Sequence, residues 1–129
     1  MRAIETTVTG TVEEAEPVVR AALAAEGFGV LTEVDVAMTL QEKLGVTRAP
    51  LKILGACNPT LAHQALGLDP SVSLLMPCNV VLEADTEETK VRVAAVHPAD
   101  LMPGPELAAL SAEAAGRLQR VVSSLSDPG

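Results

Sequence analysis

Leu51-Lys52-Ile53-Leu54-Gly55-Ala56-Cys57-Asn58-Pro59 passes directly from an apolar strand into a helix start. Leu51 to Ala56 has the length and the branched aliphatic content of a buried strand. Asn58 suits the N-cap that follows, and Pro59 suits the first helical position, where its missing N–H costs nothing. The chain later echoes this stretch in Leu75-Met76-Pro77-Cys78-Asn79-Val80-Val81. Its two cysteines and its two asparagines all fall in these two Cys-Asn dipeptides, each of which has a proline beside it.

Working outward towards the N-terminus, residues 2–9 alternate, with Ile4, Thr6 and Val8 on one side, and read as a first strand. Thr11-Val12-Glu13-Glu14 matches a capping box. The helix it opens places Val12, Ala15, Val18, Val19, Ala22 and Leu23 inward. Pro17 either kinks the first turns or moves the regular start to about Glu16, and Gly27 ends the helix. Phe28 to Val34 reads as a second strand, whose connection to the first leaves the topology open. Asp35 caps a short helix through about Leu44, which Gly45 closes.

Beyond Pro59 the helix is expected to reach about Leu66 and stop at Gly67. Asp69-Pro70 forms a turn. A fourth strand from Ser73 to Glu83 is apolar on both faces, so each side needs a cover, and Pro77 makes it an edge or a bulge. Asp85 to Thr89 is an acidic loop, and Lys90 to Val96 a fifth strand with Glu83 opposite Lys90. Residues 97–105 form an extended connector. Glu106 to Leu125 is the last helix, with Leu107, Leu110, Ala114, Leu118, Val121 and Val122 inward, and Asp127-Pro128-Gly129 is a frayed tail.

A chain of 129 residues is expected to form a single domain,. The hydrophobic fraction is 48%, yet Phe28 is the only aromatic residue. The core therefore has to be aliphatic, and a site would have no aromatic platform for stacking bases. A net charge of −8 with scattered Lys and Arg argues against nucleic acid as a partner,. No apolar run is long enough for a membrane span, and the N-terminus does not read as a signal peptide. The expected location is the cytoplasm, where two thiols stay reduced.

Cys57, between a strand end and a helix N-terminus, reads as a reactive thiol or soft ligand, or as a packed apolar group. Cys78 shares a strand face with Met76, Val80 and Leu82. If the third and fourth strands are neighbours, both sulfurs approach one point, although the spacing matches neither a Cys-x-x-Cys redox motif nor a zinc finger. Asn58 is explained by capping. Asn79, in an apolar strand, needs hydrogen-bond partners, either in the 56–59 turn or in a second subunit. His63 and His97 would complete a two-Cys, two-His set only if a helix and a strand end converged, and no metal is assigned. Glu83, Asp85, Glu87 and Glu88 read as a solvated hairpin tip, and Asp100 as a weak candidate.

Gly27-Phe28-Gly29-Val30-Leu31, Glu42-Lys43-Leu44-Gly45, Ile53 to Pro59, Ala62 and Met76-Pro77-Cys78-Asn79-Val80 together resemble the uncharacterised family called domain of unknown function 302. The resemblance implies a compact α+β domain related to the TATA-binding-protein-like fold, and a homodimer. It implies no reaction, and fold alone carries no DNA binding over.

The expected architecture is a two-layer α+β domain, with about five antiparallel or mixed strands and helices on one face. The expected function is a homodimeric small-molecule-binding module with Cys57, Asn58, Pro59, Pro77, Cys78 and Asn79 at its site. The alternatives are a thiol-dependent enzyme or redox protein using Cys57 and Cys78, and an interaction protein in which both cysteines are merely packed. The cofactor is left unknown.

Overall fold

The computed structural model describes residues 1–125; the expected tail at Asp127-Pro128-Gly129 lies outside them. One five-stranded sheet has the order β1-β5-β4-β3-β2, from β1 (Ala3–Thr9), β2 (Gly29–Asp35), β3 (Leu51–Cys57), β4 (Cys78–Ala84) and β5 (Lys90–Val96). Every neighbouring pair is antiparallel. Of the two expected arrangements the wholly antiparallel one is found, and the fold is α+β.

Helix α1 (Val12–Ala25) opens with the capping box read from the sequence: the Glu14 N–H donates to Thr11 Oγ1, and the Thr11 N–H to Glu14 Oε1. It starts at Val12, with Pro17 inside it, so the later start at Glu16 does not apply. Val12, Ala15, Val19 and Leu23 are buried, whereas Val18, expected inward, is 56% exposed. Pro17 and Val18 both fall on the outer stripe, where the hydrogen bond a helical proline removes lies open to solvent,. Gly27, at φ +85, turns the chain out of the helix, a conformation that favours a residue without a Cβ,.

Helix α2 (Val36–Leu44) is capped by Asp35 and closed by Gly45 in the left-handed region. Helix α3 (Pro59–Leu68) runs through Gly67, where a stop was expected, and ends at Asp69. A single glycine weakens a helix without ending it when its φ stays helical. Asp69 then caps a 3-10 helix over Pro70–Leu75, so the fourth strand begins at Cys78, five residues later than the expected Ser73. Pro77 therefore precedes the ladder and is neither an edge residue nor a bulge within it; the Met76–Pro77 peptide bond is cis. Among the described residues the ladder's register shift lies instead in the β2–β3 pairing, between Val30 and Thr32.

Glu83 pairs with Arg92 across the β4–β5 hairpin, not with Lys90. Glu83 also accepts from Arg48 at 2.7 Å, so it belongs to the sheet face, while Asp85 and Glu88 do form the exposed tip. The stretch taken as an extended connector holds a one-turn helix α4 (Pro98–Leu101) and a 3-10 turn (Pro105–Leu107), so α5 starts at Ala108 (Ala108–Leu125). Pro98 and Pro105 stand at the first position of these short turns, each presetting a helical φ,.

Helices α1 and α5 pack against one face of the sheet. Between them lies the aliphatic core, built on Leu54, Val80, Leu82, Val91 and Val93 from the strands and on Val19, Leu23 and Leu118 from the helices. Full burial of each such side chain contributes about 1.5–3 kcal/mol. The opposite face is left largely open: Val34 is 48% exposed, Asn79 and Arg92 are exposed, and Ile53 and Val81 are half-buried. Among the described residues no helix is long and apolar enough to cross a membrane.

Candidate functional site

The β3–β4 register places Ala56 directly opposite Cys78 and Leu54 opposite Val80. Directly opposed residues share a face, so Cys78 points with Val80 and Leu82 towards the helices. Cys57 is the last residue of β3 and Asn58 the cap of α3, so both cysteines lie at the end of the sheet where β3 ends and β4 begins, and both line one cavity there. Both are free thiols and half-buried.

They line a half-open cavity of about 50 Å³ together with Phe28, with Leu61 and Ala65 of α3, with Met76 and Pro77 ahead of β4, with Met102 beyond α4 and with Ala114 of α5. Nothing in its wall is charged. Ala56, Ala65 and Ala114 stand where larger aliphatic residues would fill it, and each is at most 5% exposed. Val72 and Leu107, both buried, back the far side, with Met76 and Met102 packed on them.

Asn58 is held twice. Its Oδ1 accepts the Leu61 N–H at 3.2 Å, which is the N-cap, and its Nδ2 donates to the Glu26 carbonyl at 3.4 Å. The same carbonyl accepts from Arg117 Nη1 at 3.1 Å, so the end of α1, the start of α3 and α5 are tied at one oxygen. Capping explains only the first bond; the second is tertiary and leaves no trace in the local sequence.

Burial, and to a smaller degree the neighbouring Cys57, pushes the Cys78 thiol up from 9.0 to about 11,. No Lys, Arg or His lines the cavity to oppose that shift. His63 is exposed on α3, and His97 caps α4 through Nδ1, which accepts the Ala99 N–H at 3.1 Å. The two-Cys, two-His set is thus not assembled. Asp100 instead holds the N-terminal strand through Arg2, whose main-chain and side-chain N–H groups draw its carboxyl below the usual carboxylate range.

Of the six residues expected at the site, Cys57, Asn58, Pro77 and Cys78 line the cavity. Pro59 is exposed at the first position of α3, and Asn79 lies exposed on the open face, opposite Gly55. Asn79 was expected to need buried partners; the alternation along β4 instead turns it to solvent. Phe28, Met102 and Ala114 were not anticipated, since they come from distant parts of the chain and carry no local pattern beyond Phe28 being the sole aromatic.

The family model "Domain of unknown function DUF302" matches residues 4–125. The chain belongs to the DUF302 family. Among solved structures, this DUF302 chain is similar to an uncharacterised conserved DUF302 protein from Bacillus stearothermophilus. The two share 27% sequence identity and a TM-score of 0.87, over 97% of this chain and 98% of the other. No curated protein matches. The family carries no established activity, so the function has to be argued from the site itself.

Proposed function

We propose that this DUF302 protein is a non-catalytic binding module, acting as a cytoplasmic homodimer of single-domain chains, with a small ligand held between the Cys57-Asn58-Pro59 turn and Met76-Pro77-Cys78. The observation that carries the reading is the uncharged cavity of about 50 Å³ beside both thiols. Sites for cofactors and drug-sized molecules run to roughly 300–1,000 Å³. The ligand expected here is therefore an ion or a molecule of a few heavy atoms. The homodimer reading draws on the open sheet face, where Ile53, Val81 and Val34 expose aliphatic surface beside a concavity of about 430 Å³ that includes Pro77 and Asn79. A second copy of this face would give Asn79 its partners.

Native mass spectrometry on gently purified protein tests the ligand reading: one adduct per chain is expected, lost in a cavity-filling Ala65→Leu variant. Unadorned mass in both proteins would count decisively against it.

The thiol-dependent alternative draws on the same pairing of Cys57 with Cys78. It is the weaker reading, because no base lines the cavity to take a proton from either thiol, and Cys78 is held protonated at neutral pH,.

A further inference from the structure

The chain has two cysteines and four methionines. Four of these six sulfur-bearing residues, Cys57, Met76, Cys78 and Met102, line the one small cavity, although they come from a strand end, a pre-strand turn, a strand start and a connector. The remaining two, Met1 and Met38, are exposed elsewhere. The cavity offers no carboxylate and no imidazole, and its single amide side chain, Asn58, is already committed to Leu61 and Glu26. Hard cations, which need oxygen ligands, have nothing to bind there. Thiolate and thioether donors select soft ions, above all monovalent copper.

We propose that Cys57, Met76, Cys78 and Met102 form a sulfur-only site for one soft monovalent ion of the Cu(I) class. This deepens the binding-module reading and rests on it. Binding by both thiols releases two protons to solvent and leaves the bis-thiolate complex with one net negative charge. The positive end of α3, whose cap Asn58 follows Cys57, favours a negative charge on that sulfur,. The uncharged wall offers a strongly hydrated ion no replacement for its water ligands and so favours a soft ion held by sulfur,. Met76 and Met102 pack on Val72 and Leu107, which holds both flexible side chains in the wall that Cys57 and Cys78 also line,.

The test is an anaerobic titration of the reduced full chain with Cu(I) against a competing chelator, followed by the methionine methyl resonances. One ion per chain is expected, with Met76 and Met102 shifting and Met1 and Met38 unmoved. Cys57→Ser and Cys78→Ser should each lose at least about tenfold in affinity. Met76→Leu and Met102→Leu, which conserve volume and keep the fold, should weaken binding by a smaller factor. Unmoved Met76 and Met102 resonances at saturation, or equal retention of Cu(I) by the double Cys→Ser variant, would overturn the proposal. So would Zn(II) displacing Cu(I) at equal concentration. An organic adduct in the native protein with no Cu(I) uptake overturns the metal assignment and leaves the binding-module reading standing; neither adduct nor Cu(I) uptake removes both.

Discussion

Pro77 closes directly over Gly55. A Cβ on Gly55 would stand 2.7 Å from Pro77 Cγ and would also collide with Thr32 Oγ1 from β2. Gly55 is buried, and its place in the middle of β3 is a matter of space between two neighbours,. Gly55→Ala is therefore expected to destabilise the fold by about 1–3 kcal/mol, the usual range for overpacking. Because Pro77 also lines the cavity, the same variant should disturb ligand uptake. An unchanged urea midpoint would show that Pro77 yields more easily than the packing implies.

Cys78 makes stability fall at alkaline pH. Its thiol ionises from 9.0 when the chain is unfolded, but only at about 11 when folded. Between those values the unfolded state sheds its proton first, so the contribution is complete below pH 9 and lost as pH rises to about 11,. The loss is on the order of 2–3 kcal/mol. Denaturation curves across this window should show the slope in the native chain and lose it in Cys78→Ala. A slope that persists unchanged in the variant assigns it elsewhere.

Glu16 and Lys52 form a bridge of 2.7 Å between α1 and β3, with Arg20 and Glu33 beside it. The hydrogen bond to Lys52 draws the Glu16 carboxyl below its ordinary 4.5, and the same bond raises the Lys52 ammonium above its ordinary 10.5. The Glu16 contribution is present above pH 4.5 and lost as pH falls through the lowered value; the Lys52 contribution is present below pH 10.5 and lost as pH rises through the raised one,. Lys52→Met is expected to cost up to about 1 kcal/mol at neutral pH and to flatten the acid limb. A double-mutant cycle with Glu16→Gln measures the pair directly, and zero coupling would dismiss it.

Asn58→Ala removes both the α3 cap and the donor to Glu26. The expected cost is about 1–2 kcal/mol. Asn58→Asp keeps the cap and loses only the donor, so it should recover roughly half of the loss. Equal destabilisation by both variants would mean that the tertiary bond carries the whole effect.

The open sheet face supplies the last prediction. Light scattering should give the mass of two chains at micromolar concentration, and Val81→Glu, at the centre of that face, should give the mass of one. A monomer in the unaltered protein would end the homodimer proposal.

The local elements are legible in the sequence because their signals are local. Thr11 with Glu14, Asp35 with Gly45, and Asn58 with Pro59 each satisfy backbone groups within a few residues, and all three helix starts stand where those residues put them. Alternation likewise marks the buried side of β1 and β5. Strand limits around Pro77 were not legible, because a run of Val, Leu and Met suits a 3-10 helix and a strand equally until the register of β3 selects one.

The echo of two Cys-Asn dipeptides was visible at once, but its two halves do different things. Antiparallel pairing sets Cys78 beside Ala56 and turns it inward, Cys57 reaches the same cavity as the last residue of β3, and alternation sends Asn79 to the opposite face. Phe28, Met102 and Ala114 reach the same cavity from remote segments, a convergence set by how α3, α5 and the connector pack and not by spacing along the chain. The sequence alone determined which residues start and cap the helices, since those bonds close within one turn. The tertiary structure alone decided which sulfurs share a cavity, since that depends on strand register and on the helices laid across it.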